Sequence, residues 1–139
     1  MEPPRIILDT NVLYAGLRSS AGASFQLLRL LGTGRFHTVI TVPLLLEYGQ
    51  VLSTVPGLSK NDMDSALDYL CSISTHQQVY FHWRPTLPDP GDDLVLEAAV
   101  AGGCGDIVTF NVRDFQGAER FGIRILTPVQ FLRQIGDLP

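Results

Sequence analysis

Near the start of the chain, Arg5 leads into the unbroken apolar run Ile6-Ile7-Leu8, which stops at three small polar residues, Asp9-Thr10-Asn11. The run does not alternate apolar with polar, so a strand made from it has no solvent face and must be covered on both sides. Strands of that kind belong to parallel sheets, whose crossovers are helices. The rest of the chain supplies both. His37 to Val42, Val79 to Trp83, Ile107 to Thr109 and Arg124 to Leu126 read as further strands. Between them lie helical patterns. Phe25 to Leu31 is closed by Gly32 and Gly34, and a helix opening at Pro43 runs to Leu52. A third has Ser59 as N-cap and the stripe Met63, Ala66, Leu67, Leu70 and Ile73. Asp92-Asp93 opens a fourth that is apolar almost all round, and Thr127-Pro128 opens the last. Alternating strands and helices predict an α/β fold, a three-layer α/β/α sandwich around a mainly parallel sheet of four to five strands.

The length of 139 residues suits a single domain over 1–139. Ten basic residues against fourteen acidic ones leave a net charge of −4 and a pI near 5.2. That excludes a protein holding nucleic acid by bulk positive charge, so a nucleic-acid partner must be gripped locally or through metal ions. Cys71 and Cys104 are too few for a disulfide framework and read as buried thiols in a reducing compartment. The N-terminus has no long apolar region and no small-residue cleavage site, and no run of about eighteen apolar residues occurs. A cytoplasmic protein with no membrane partner is expected.

In an open parallel sheet, ligands bind outside the C-terminal ends of the strands. Asp9 ends the first strand, and Glu47 lies one turn into the helix after the second. Asp93 begins the helix leading to the fourth strand, and Asn111 and Asp114 follow that strand. Carboxylates gathered at one rim repel each other unless cations compensate. An oxygen-only donor set suits Mg²⁺ or Mn²⁺ better than zinc, and a divalent ion can activate water against a phosphodiester. Metal-assisted phosphodiester hydrolysis is the chemistry this pattern predicts.

The motif Ile7-Leu8-Asp9-Thr10-Asn11-Val12-Leu13 resembles the opening of PIN-domain nucleases. Glu47, Asp93 before an Ala-rich helix, and Val108-Thr109-Phe110-Asn111-Val112-Arg113-Asp114-Phe115 match the rest in order and approximate spacing. Leu126 to Leu132 looks like the close of VapC-type toxins within that family. The resemblance implies a PIN-like fold and a Mg²⁺- or Mn²⁺-dependent endoribonuclease, the toxin of a toxin–antitoxin pair, forming a homodimer. It places Asp9, Glu47 and Asp93 in the first three acidic positions. At the fourth, where many members carry aspartate, stands Asn111, and Asp114 substitutes for it or helps through water. Catalysis is thereby assigned to Asp9, Glu47, Asp93 and Asp114, and the metal to these together with Asn111. Asn11, Thr109 and Arg113 are the candidate substrate contacts, Arg18 a further phosphate clamp, and Thr10 a positioning group.

Other readings stand beside this one. Asp9-Thr10-Asn11 also fits a simple turn. Either Asp92 or Asp93 can cap its helix while the other faces the site. Asp89 and Asp106 read as solvated turn residues, Glu97 as a group one turn past Asp93, and His37 and His82 as structural or exposed. The Asn111 departure favours an alternative of another class, a catalytically degenerate PIN-like scaffold acting through RNA or protein partners. A phosphatase with Asp9 as nucleophile would want aspartate where Asn11 stands.

Overall fold

A computed structural model describes residues 2–79, 87 and 89–138 of the chain. Its sheet has five strands: β1 (Arg5–Leu8), β2 (His37–Ile40), β3 (Thr75–His76), β4 (Asp106–Val108) and β5 (Arg124–Leu126). They lie in the order β3-β2-β1-β4-β5, and every pairing is parallel. Six α-helices are described: α1 (Thr10–Arg18), α2 (Ala23–Arg29), α3 (Val42–Leu52), α4 (Lys60–Ile73), α5 (Pro90–Ala101) and α6 (Pro128–Gln134). From β1 the chain moves outward through β2 to β3, then returns to place β4 on the other side of β1. Right-handed crossovers therefore put α1 to α4 on one face and α5 on the other. The contacts agree: α1 packs on α2 and α3, α2 on α6, and α5 on β1, β2 and β4. This is the three-layer α/β/α sandwich expected.

The strand order reverses between β1 and β4, which opens a crevice at their C-terminal ends. The register Leu8↔Val108 brings the next residues, Asp9 and Thr109, level at that point. The ladder runs on through the Asp9 N–H, which donates to the Val108 carbonyl at 2.9 Å. Covered on both faces, Ile6, Ile7, Ile107 and Val108 are fully buried. Tyr48 on α3 is buried too and donates its hydroxyl to the Leu8 carbonyl. That bond fixes α3 against the end of β1 and so sets the position of the neighbouring Glu47.

Several local expectations need correction. Asp9-Thr10-Asn11 is no mere turn: Asp9 caps α1, a helix that the Gly- and Ser-rich stretch after it had hidden. Gly16 within it is required by packing, because a Cβ there would meet Leu28 Cδ1 of α2 at 2.4 Å. β2 ends at Ile40, since Thr41 caps α3 with its hydroxyl on the Leu44 N–H and Val42 is already helical. The third strand is Thr75–His76, and Val79 is not in a strand. The remainder of that expected strand, Tyr80 to Trp83 with His82, lies outside the described residues. Asp106 is no solvated turn residue. It sits in β4, 1% exposed, and takes two hydrogen bonds from the Arg124 guanidinium, at 2.8 and 3.2 Å. Cys104 is buried, and desolvation pushes its thiol up to about 12, whereas Cys71 is only half-buried. Among the described residues no helix is long and apolar enough to cross a membrane.

Candidate active site

The crevice at the end of β1 and β4 is an open cleft of about 260 Å³. It is lined by Asp9, Thr10, Asn11, Tyr14, Glu47, Val51, Asp89, Gly91, Asp92 and Asn111. Four of the ten are carboxylates and none is a lysine or arginine. Asp9 is 7% exposed and held from two sides. Its Oδ1 accepts the Thr10 N–H at 2.8 Å, the helix cap, and its Oδ2 accepts the Thr109 hydroxyl at 2.6 Å. Thr109 Oγ1 in turn accepts the Asn111 N–H at 3.0 Å, so one threonine links the ends of β1 and β4 to the loop beyond. Thr10 reaches the other way and donates its hydroxyl to Glu47 Oε2 at 3.2 Å. Asn11 Oδ1 faces the Phe110 N–H at 3.5 Å.

The start of α5 resolves which of its acids faces the cleft. Asp89, expected as a solvated turn residue, is the N-cap, its Oδ1 accepting the Gly91 N–H at 2.8 Å, and it lines the cleft as well. Neither Asp92 nor Asp93 caps the helix. Consecutive helical residues point about 100° apart, so they cannot share one direction. Asp92 lines the cleft, while Asp93 is buried with its Oδ1 accepting the Leu87 N–H at 3.0 Å. Gly91 leaves room for the Glu47 carboxylate: a Cβ there would lie 2.6 Å from Glu47 Oε1. Asp114 sits exposed on the 3₁₀ turn Val112–Phe115 and does not line the cleft, yet its charge is felt by both Asp9 and Asp92. Arg113 and Arg18 are exposed and do not line it either, and Glu97 is buried away from it. His37 is exposed at the start of β2, the far end of the sheet.

These charges disturb one another. Burial raises the Asp9 carboxyl above its usual range, against the bonds from Thr109 and Thr10, and Asp114 and Asp89 raise it further. Burial likewise raises Glu47, opposed by Thr10 and reinforced by Asp9 and Asp89. Asp92 is pushed up to about 7, by burial first and then by Asp9, Asp89, Asp114 and Glu47. Five carboxylates thus form one repelling group. Among the described residues no three side chains stand together as a finished metal-ligand set. The donors present are all oxygen, which is the chemistry of a hard divalent cation.

The family model of the PIN domain matches residues 5–113, from the first strand through the loop after the fourth. The chain belongs to the PIN domain family. No curated protein matches it. As a PIN domain the chain has a nuclease-type fold with the acidic end of its sheet at the switch point. Asp9, Glu47, Asn111 and Asn11 all line the cleft there, and Thr109 donates its hydroxyl to Asp9. Reading the sequence missed Asp89 and Tyr14. The Asp89-Pro90 pair was a legible helix-start signal, a cap followed by proline at the first turn. Tyr14 was signalled only through α1, on which it lies one turn from Thr10.

Proposed function

We propose that this PIN domain is an endoribonuclease that uses Mg²⁺ or Mn²⁺ to hydrolyse RNA phosphodiester bonds. The observation that carries the reading is the cleft at the β1/β4 switch point, where Asp9, Glu47, Asp89 and Asp92 converge with no basic side chain among its lining residues. Such a group wants a cation. Asp9, Glu47 and Asp92 are the residues that would hold it, with Asn111 as a neutral oxygen ligand and Asp89 and Asp114 adding charge. Rotation of side chains already on one rim would bring them together. A divalent ion there supplies an activated water and stabilises the charge that develops on the phosphodiester.

The chain's own groups do the positioning. Thr109 and Thr10 hold the Asp9 carboxylate by both oxygens, which fixes its plane before any ligand arrives. Thr10 orients Glu47, and Tyr48 anchors the helix that carries it. Asp93 serves as a buried tie to the Leu87 backbone rather than as a ligand. Arg113, on the exposed turn beside Asn111, holds the substrate backbone by its planar fork. The resemblance to VapC-type toxins extends the proposal to a toxin with a cognate antitoxin, and to a homodimer in the cytoplasm. Val42 and Leu46, one turn apart on α3 and 69% and 66% exposed, are apolar surface that a protein partner would cover.

Cleavage of an unstructured RNA, dependent on added Mg²⁺ or Mn²⁺ and lost in Asp9→Asn, is the expected result. Asparagine remains a good N-cap, so that variant keeps the fold. Metal-dependent cleavage surviving in Asp9→Asn would overturn the assignment. RNA binding with neither cleavage nor metal uptake would favour the scaffold reading, to which the neutral Asn111 lends support.

A further inference from the structure

We propose that Phe110 is a stacking platform for an unpaired base of the RNA, making the cleft selective for single strands; this rests on the ribonuclease reading above. Phe110 follows Thr109, which is fully buried on Asp9, yet Phe110 itself is 48% exposed. Asn11 faces its backbone amide, and Asn111, the exposed Val112 and Arg113 follow it in sequence. No other aromatic ring and no cation packs on it among the described residues. The backbone beneath the ring is held firmly on one side and loosely on the other. The Phe110 N–H faces Asn11 Oδ1 at 3.5 Å, and the Asn111 N–H is held by Thr109 Oγ1 at 3.0 Å. A ring on a backbone held in this way, free on its surface and next to the acidic cleft, is preorganised for a flat apolar ligand. A base flanking the scissile phosphate is such a ligand, and every unpaired base offers a π face. In a duplex that face is covered by its neighbours, so the platform rejects paired RNA.

The test compares the wild type with Phe110→Ala, Phe110→Trp and, as a control, Phe121→Ala, an exposed aromatic on the 3₁₀ turn Ala118–Phe121 whose ring lies under Arg120. On an unstructured oligonucleotide, Phe110→Ala is expected to raise KM roughly tenfold, the range of one lost base–aromatic stack, with little change in kcat. Phe110→Trp restores KM, and Phe121→Ala leaves it unchanged. An oligonucleotide carrying 2-aminopurine should be quenched on binding the wild type and not on binding Phe110→Ala. Wild-type KM and quenching in Phe110→Ala would overturn the proposal. So would a change in oligomeric state of that variant by sedimentation, which would place the ring in a protein interface. If the wild type quenches the probe but cleaves no RNA, the ribonuclease reading fails while the platform stands. If it does neither, both fail.

Discussion

Asp92 makes the metal-free protein less stable as pH rises, and the size of the effect follows from its surroundings. In the folded state its carboxyl titrates at about 7, against 3.8 for an unperturbed aspartate. Between those values the folded chain holds a proton that the unfolded chain has lost, so stability is full below pH 4 and drains away as pH climbs through 7. Asp9 and Glu47 are raised as well and act with the same sign. Each pKa unit corresponds to about 1.4 kcal/mol, so the Asp92 shift would be worth about 4 kcal/mol in a fully shielded site. Asp92 stands in an open cleft, and solvent screening reduces this to about 1–2 kcal/mol. In a domain of this size that is a fall in Tm of about 4–8 °C. Thermal unfolding in EDTA from pH 5 to pH 8 measures it. Asp92→Asn should flatten the fall and be more stable than the wild type at pH 8, and saturating Mn²⁺ should remove the fall in the wild type. A metal-free Tm that rises from pH 5 to 8, or an Asp92→Asn no more stable at pH 8, would refute the reasoning.

Gly91→Ala separates the site from the fold. The new methyl meets Glu47 Oε1, the far end of a flexible side chain, at a backbone position that alanine accepts readily. Its helix propensity favours alanine by up to about 1 kcal/mol, which roughly offsets the lost Thr10–Glu47 bond. Urea unfolding should therefore change little while Mn²⁺ affinity drops severalfold, and an intact affinity would show that Glu47 is not a ligand. Arg113→Ala should weaken RNA binding and lower the salt slope by about one, leaving Mn²⁺ affinity unchanged. Unaltered binding at low salt would move the phosphate grip elsewhere.

The sheet was readable because burial on both faces leaves a trace: Ile6-Ile7-Leu8 and Ile107-Val108 are short apolar runs bounded by polar residues, and both are buried strands. Glu47 was legible for a related reason, a carboxylate on an apolar helix that needs a purpose. What could not be read is direction. Asp92 and Asp93 are adjacent and chemically identical, and only the cap at Asp89, which sets the phase of α5, decides which one meets the cleft. Asp106 escaped for want of its partner, since Arg124 is distant in sequence and is brought alongside only by the β4–β5 pairing. α1 was hidden because its Gly16 looks like a loop residue until Leu28 is seen against it. Short β3 has no apolar pattern of its own, both its residues being exposed.

Whether the acidic cleft is a divalent-cation site is tested most directly by calorimetric titration of Mn²⁺ into four proteins: wild type, Asp9→Asn, Asp92→Asn and Asp93→Asn. Wild-type binding should tighten as pH rises and the carboxyls lose their protons. Asp9→Asn and Asp92→Asn should each weaken it by tenfold or more, in line with loss of one charged ligand. Asp93→Asn, whose amide oxygen can still accept the Leu87 N–H, should keep the affinity. No Mn²⁺ binding by the folded wild type, or a loss confined to Asp93→Asn, would contradict the account.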